Sequence, residues 1–144
     1  MNLINEDQVE DQSIKWFEEL GYQYLNGYNI SPDGINPERE NFKKVILENR
    51  LKSSLIRINP DIPADTINNS LTQILNPNIP GLLNCNRQMH NWITKGLKVT
   101  YMENNQEIGK QLKLIDFDNL ENNDWLVVNQ YAIQGNKRNR SKVW

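Results

Sequence analysis

The sequence predicts an α/β (α+β) fold in which about four helices are followed by a small mixed sheet of about three strands. Three observations predict it. Apolar residues recur at helical spacing in four segments before Gly96. After Gly96 the period changes to the alternation typical of strands. The longest apolar run, Trp125 to Val128, resumes at Tyr131 to Ile133, and its aromatic and β-branched residues indicate a strand covered on both faces.

The first helix is predicted from Glu6 to Leu20. Asn5 is a suitable N-cap, with Gln8 three residues later, and a glycine follows at the C-terminal end. The segment from Gly21 to Pro37 contains three glycines and two prolines, so it is predicted to be a loop.

Three further helices are predicted before the strands. The second runs from about Arg39 to Ile58, where an Asn-Pro pair ends it. The third begins near Pro63 and ends at Asn76-Pro77. The fourth runs from about Asn86 to Lys95 and ends at a glycine.

The strands follow as a hairpin and a longer strand. Leu97 to Met102 is the first arm, Glu103 to Gln106 forms a loose turn, and Ile108 to Phe117 is the second arm. Asp124 to Ile133 is predicted to be the central strand of the sheet. Its two amides, Asn129 and Gln130, are either hydrogen-bonded structural residues or the lining of a polar site, because unpaired buried amides are costly.

Length and composition favour one globular domain spanning residues 1–144. The net charge of -2 gives the chain no overall positive potential that would favour binding to nucleic acid. The single cysteine, Cys85, excludes an intramolecular disulfide, and no stretch has the length of a membrane span or the pattern of a signal peptide. These features predict a cytoplasmic protein that does not contact a membrane.

Several side chains that often have chemical roles are predicted to be structural here. The lone His90 lacks partners at the spacing of a catalytic triad or a metal site, so packing or hydrogen bonding is expected. Cys85 is expected to be a small buried hydrophobe. Trp16, Trp92 and Trp125 fall on apolar faces and are expected in the core.

Several short segments of the sequence resemble a known protein family. LIDFDN (114–119) and NNDWLVVNQ (122–130), with SIKWFEELGYQYLNGYNISPD near the start, resemble the N-terminal nuclease region of the R (restriction) subunit of type I restriction-modification enzymes. The resemblance covers nearly the whole chain. It implies part of a restriction-endonuclease-like fold of the PD-D/ExK superfamily, with three helices and a hairpin inserted between the first core helix and the first core strand.

The resemblance also implies where the chemistry lies. In the family, a short basic linker leads to an Arg-Pro-Asp strand and a Glu-x-Lys strand, which hold Mg²⁺ and activate water for hydrolysis of DNA. This chain reads GNKRNRSKVW from Gly135 to Trp144 and contains neither strand. No catalytic residue is therefore expected within it, and no tightly bound Mg²⁺. ATP belongs to the family's motor region, and the phosphate-binding Gly-x-x-x-x-Gly-Lys-Ser/Thr motif is absent from these 144 residues.

Two sets of residues remain as candidates for a site. Glu10 lies on the first helix where the family typically carries a Glu, so it is a candidate metal ligand; alternatively it only interacts with the positive end of the helix dipole. A basic run near the C-terminus is a candidate for electrostatic contact with DNA phosphates, or is a solvated tail. Its members are Lys137, Arg138, Arg140 and Lys142.

Two hypotheses for function follow. The chain is either the N-terminal part of the DNA-cleaving R subunit, which in the family works with methylation and specificity subunits, or a non-catalytic accessory module that binds DNA or those subunits. Under both hypotheses the isolated chain is expected to be inactive as a nuclease. An unpaired edge of the central strand also predicts self-association.

Overall fold

The computed structural model describes residues 5–135 and the backbone of residues 140–143. The chain divides into two compact units, the first comprising residues 1–48 and 124–144 and the second residues 49–123. Whether the two units act as one domain stays a prediction. The α+β class is confirmed, because the described residues form four α-helices and a few strands that pair both parallel and antiparallel.

The elements follow one another in the order α1 (Glu6–Glu19), β1 (Gln23–Asn26), α2 (Glu48–Ile58), α3 (Ala64–Leu75), α4 (Leu82–Lys95), β2 (Leu97–Glu103), β3 (Gln106–Leu112), a short 3₁₀ helix (Leu120–Asn122), β4 (Leu126–Asn129), β5 (Tyr131–Gln134) and β6 (Arg140–Val143). The strands pair two by two: β1 with β4 in parallel, β2 with β3 antiparallel, and β5 with β6 antiparallel.

In the first unit, α1 begins at Glu6 as predicted and ends at Glu19, with the predicted last residue, Leu20, as its C-cap. The Asn5 side chain accepts from the Gln8 N–H, and the Gln8 side chain accepts from the Asn5 N–H, so the capping box is complete. Gly21 follows the last turn with a φ of 91°. The predicted loop after it is wrong in part, because β1 lies within it and pairs with β4 in the register Gln23↔Leu126 to Asn26↔Asn129.

The second helix begins nine residues later than predicted, at Glu48 rather than Arg39. The Asn41 side chain accepts from the backbone N–H groups of Lys43 and Lys44, and such a local turn competes with helix formation. Arg39 itself is buried and donates to the carbonyls of Lys44 and Ala132. Its guanidinium carbon lies 3.9 Å from the centroid of the Tyr131 ring, so it anchors the loop to β5.

The predicted central strand from Asp124 to Ile133 is divided into β4 and β5 at Gln130. Gln130 has a φ of 52°, in the left-handed region that side-chain-bearing residues rarely adopt. Each half has its own partner, β1 for β4 and β6 for β5. The strand is half-buried rather than covered on both faces. A left-handed residue cannot continue an extended ladder, which is the physical reason for the division into β4 and β5.

The second unit contains α2, α3, α4 and the hairpin of β2 and β3. Its apolar core combines helix and hairpin residues. Helix α4 begins at Leu82, four residues earlier than predicted. The three helices and the hairpin do form one continuous unit, but it follows β1, so the insertion does not lie directly after α1. The core residues are Leu55, Ile62, Ile67, Ile74, Trp92, Leu97, Val99 and Leu112.

The hairpin turn is tight, whereas the sequence predicted a loose one. Asn104 and Asn105 have φ values of 50° and 63°, and asparagine tolerates this conformation in two-residue turns. The second arm ends at Leu112, five residues earlier than predicted. The cause is the buried Asn59, whose side chain donates to the Lys113 carbonyl and accepts from the Lys113 N–H in place of a neighbouring strand.

Two of the segments that carry the family resemblance, 114–119 and 122–130, meet in a loop around Asp116. This buried carboxylate accepts from the Asn122 amide and from the backbone N–H groups of Asp118 and Asn119. The Asn123 side chain bonds both the N–H and the C=O of Asp116. The amide of Asn122, and next the N–H of Asn119, hold the pKa of Asp116 below its ordinary value of 3.8. These polar residues therefore have a structural role.

The predictions for isolated side chains have mixed outcomes. Trp92 is buried as predicted, Trp125 is half-buried against Tyr22, and the prediction for Trp16 is wrong because its side chain is exposed. Cys85 is half-buried rather than buried. Within the part of the chain that the structure describes, no helix has both the length and the hydrophobicity needed to cross a membrane.

Candidate functional site

The carboxyl ends of the parallel strands β1 and β4 lie side by side, and polar residues gather there. Asn26 is opposite Asn129 in the register. The N–H of the next residue, Gly27, donates to the Asn129 carbonyl at 2.8 Å. A Cβ atom on Gly27 would lie 2.5 Å from that oxygen and 2.6 Å from the Gln130 carbonyl oxygen, so only glycine permits this approach. Carboxyl ends of parallel strands are a common place for binding sites.

Two tyrosines connect this strand end to the amides of the β4–β5 junction. The Tyr24 hydroxyl donates to Asn129 Oδ1 at 2.9 Å, and the Tyr28 hydroxyl donates to Gln130 Oε1 at 3.3 Å. The Tyr28 backbone N–H donates to Asn26 Oδ1, which fixes the turn after β1. Both amides are therefore hydrogen-bonded, as the structural hypothesis predicts. That they line a functional polar site stays a prediction.

Glu10 of α1 reaches the same cluster. Gln130 Nε2 donates to the two carboxylate oxygens of Glu10 at 3.2 and 3.3 Å. Glu10 is half-buried, and within residues 5–135 no lysine or arginine forms an ion pair with it. The region thus holds one carboxylate, which accepts from a neutral amide donor, and two phenol hydroxyls that donate to the amides of the β4–β5 junction. We define Glu10, Tyr24, Tyr28, Asn129 and Gln130 as the amide–tyrosine cluster.

A magnesium site requires several oxygen ligands that converge on the ion. Among the residues that the structure describes, no group of three His, Cys, Asp or Glu side chains is arranged to hold a metal. Glu10 faces an N–H donor instead of a second carboxylate. The residues of the cluster therefore do not fit Mg²⁺ by themselves, and a role for Glu10 as a ligand stays a prediction that requires further carboxylates.

The predicted DNA-binding residues are only partly described. Lys137 and Arg138 lie outside the described residues. Arg140 and Lys142 belong to β6, where their backbones are paired opposite Gln134 and Ala132. The structure thus brings Glu10 to the polar cluster but does not test the basic run.

Sequence reasoning missed three contributors to this region: Tyr24, Gly27 and Tyr28, all placed in a loop. One pattern could have revealed them. The segment from Gln23 to Gly27 reads QYLNG, a short run with aromatic and aliphatic residues that ends at Asn-Gly, which is typical of a strand followed by a turn.

Comparison with known proteins gives a consistent result. The family described as type I restriction enzyme R protein N terminus matches residues 3–141. The "Putative type I restriction enzyme MjaIXP endonuclease subunit" of Methanocaldococcus jannaschii is 31% identical over 137 residues, which are 91% of this chain and 12% of that protein. The type I restriction enzyme HindI endonuclease subunit of Haemophilus influenzae is 22% identical over 135 residues, 94% of this chain and 13% of that protein.

The chain thus spans only 12–13% of the length of these two curated relatives. No solved structure gives a significant match.

Proposed function

Because the chain belongs to the type I restriction enzyme R protein N-terminus family, we propose that it is the N-terminal part of the DNA-cleaving subunit of a type I restriction-modification system. The observation that carries the proposal is the family match, which spans residues 3–141. The two curated relatives, both named as endonuclease subunits, support it.

The role proposed for this chain is a scaffold. Its helix α1 and parallel strands β1 and β4 bring Glu10 to the carboxyl ends of the strands, where Gln130 holds its carboxylate. Magnesium binding is proposed only for a complete nuclease domain, where the ion would polarise a phosphoryl oxygen and lower the pKa of water. Glu10 is the one ligand proposed from this chain. ATP is proposed for a motor region alone.

The partners proposed are DNA and the methylation and specificity subunits of a restriction complex, in the cytoplasm. The support for DNA within the chain is the basic run of Lys137, Arg138, Arg140 and Lys142, four positive charges within six residues. Duplex binding measured against salt tests this run. A version ending at Gly135 is expected to bind more weakly and with a shallower salt dependence, and equal affinities would exclude the run as the DNA contact.

A second candidate function is a non-catalytic accessory module that binds DNA or the other subunits. One observation favours it. The Glu10 carboxylate accepts from the side-chain amide of Gln130, where a metal site would place a second carboxylate. An immunoblot of the source cells with an antibody against this chain separates the two. A band about eight times larger than the 16.9 kDa of this chain supports the endonuclease subunit. A band at 16.9 kDa supports the accessory module.

The coding DNA provides the matching control. In-frame codons for an Arg-Pro-Asp strand and a Glu-x-Lys strand after codon 144 support the endonuclease subunit. A stop codon at that point would contradict it.

A further inference from the structure

The helix α1 carries apolar side chains that its own unit leaves exposed. Val9, Trp16 and Leu20, the last at the C-cap, expose 55%, 59% and 74% of their surfaces. At about 100° per residue, these three positions fall within an arc of about 40° on the helix. They therefore form one continuous stripe, which we call the α1 stripe.

The α1 stripe is distinct from the face that α1 uses in the fold. Glu10 and Ile14 are half-buried. Phe17 packs against Tyr22, with the two ring centroids 5.1 Å apart. These residues lie about 80° to about 140° around the helix from the centre of the stripe. The stripe is thus not required for packing of α1 within its unit, so another role must be considered.

An open depression of about 440 Å³ lies along α1 beside Val9 and Trp16, and its described lining residues all belong to this one helix. The side chains of Val9 and Trp16 supply its apolar lining, and polar side chains of α1 complete it, namely Gln8, Gln12 and Ser13.

The charge of α1 limits what can occupy the stripe. The helix carries six acidic residues and one lysine. Glu6 and Glu19 lie on opposite sides of the stripe, about 60° and about 80° from its centre. Nucleic acid is repelled by this charge, and so is the α1 helix of a second copy. A positively charged partner with an apolar face is attracted.

We propose that the α1 stripe is a docking surface for a basic amphipathic helix of another polypeptide. The apolar face of the partner covers Val9, Trp16 and Leu20, and its lysines or arginines meet the flanking carboxylates. An apolar centre with a charged rim is the usual composition of such helix-binding surfaces. This inference depends on neither candidate function.

The test uses designed peptides of about 18 residues, long enough to form a helix on binding. The first is a Lys/Leu amphipathic peptide, the second has the same composition in a scrambled order without an apolar face, and the third replaces Lys by Glu. The readout is the change in backbone amide and indole chemical shifts of the ¹⁵N-labelled full chain. The expected result is that only the first peptide binds, that shifts concentrate in α1 and the Trp16 indole, and that affinity falls with salt.

Two surface variants make the test specific. Trp16→Ser is expected to weaken binding of the first peptide by about tenfold or more, because exposed aromatic anchors dominate such interfaces. The matched control is Leu82→Ser, which removes an apolar side chain that is 79% exposed on α4. It is expected to leave binding unchanged. Leu20→Ser serves as a second variant of the stripe if Trp16→Ser alters the spectrum of the free chain.

Four results would overturn the proposal. The first is equal binding by the scrambled peptide, which would show charge attraction alone. The second is equal binding by the Glu/Leu peptide, which would show apolar contact without charge selection. The third is an equal loss of affinity in Trp16→Ser and Leu82→Ser. The fourth is an absence of shifts in α1.

Discussion

Gln130 donates its side-chain amide to both carboxylate oxygens of Glu10, at 3.2 and 3.3 Å, although 120 residues separate the two in the sequence. The donor sits on a backbone with a φ of 52°, a conformation that costs on the order of 1–2 kcal/mol for a residue other than glycine. The contact joins α1 to the β4–β5 junction. Gln130 therefore combines a strained backbone at the turn with side-chain hydrogen bonds to Glu10.

The first prediction separates the strain at residue 130 from its hydrogen bonds. Gln130→Ala loses the amide and keeps the strain, whereas Gln130→Gly loses the amide and relieves the strain. The alanine variant is expected to be less stable than the glycine variant by about 1 kcal/mol. Urea denaturation measures the difference, with the exposed Gln134→Ala as a control near wild-type stability. Equal stability of the two variants at residue 130 would show that the left-handed turn is not strained.

The second prediction concerns the close approach of Gly27 to the β4–β5 junction. A Cβ atom at residue 27 would lie 2.5 Å from the Asn129 carbonyl oxygen. Gly27→Ala is therefore expected to force β1 away from the junction and to destabilise the chain by about 1–3 kcal/mol. Gly135→Ala is the matched control, because a Cβ atom there meets no atom within 4 Å. A Gly27→Ala variant as stable as this control would contradict the observed approach.

The third prediction follows from the lowered pKa of Asp116. A carboxylate with a pKa lower in the folded than in the unfolded chain stabilises the fold above its ordinary pKa of 3.8. That stabilisation is lost as the pH falls from 3.8 through the lower folded value. Asp116→Asn is expected to be less stable than wild type near neutral pH, and the difference is expected to shrink below pH 3.8.

Denaturation curves at about pH 7 and about pH 3 measure this change. Asp118→Asn is the control, because the Asp118 side chain is exposed and its main partner is Lys113. The same difference between wild type and Asp116→Asn at both pH values would contradict a role for the ionised carboxylate.

The fourth prediction concerns the edge of β4. Within the described residues β4 pairs only with β1, so its other edge has no strand beside it. Half-buried Val127 and Val128 lie on this strand. Such an edge favours pairing with another copy, so self-association is expected as the concentration rises. Analytical ultracentrifugation over a concentration series measures it, and a monodisperse monomer throughout would count against it.

Local features of the sequence predicted much of the fold. The Asn5 and Gln8 capping box fixes the start of α1, and α3 runs from Ala64 to the predicted stop before Asn76. These elements depend on contacts between residues within one or two turns. Sequence patterns report such contacts directly.

The parts that the sequence did not predict depend on distant contacts. The loop of Arg39 was predicted as helix, but it is held by the Ala132 carbonyl, 93 residues away. Periodicity correctly placed Trp16 on an apolar face of α1. It could not show that this face is left uncovered. In the candidate site, Glu10 and Gln130 were each identified from the sequence, but their contact required the fold.

The most direct measurement is incubation of supercoiled plasmid with the purified 144-residue chain and Mg²⁺, beside a complete type I restriction complex with ATP. If the chain is a scaffold of the nuclease domain, the plasmid stays supercoiled with the chain alone and is cut by the complete complex. A Glu10→Ala variant purified in the same way controls for contaminating nucleases. Cutting by the chain alone, abolished in Glu10→Ala, would contradict the scaffold role and would place a working active site at the amide–tyrosine cluster.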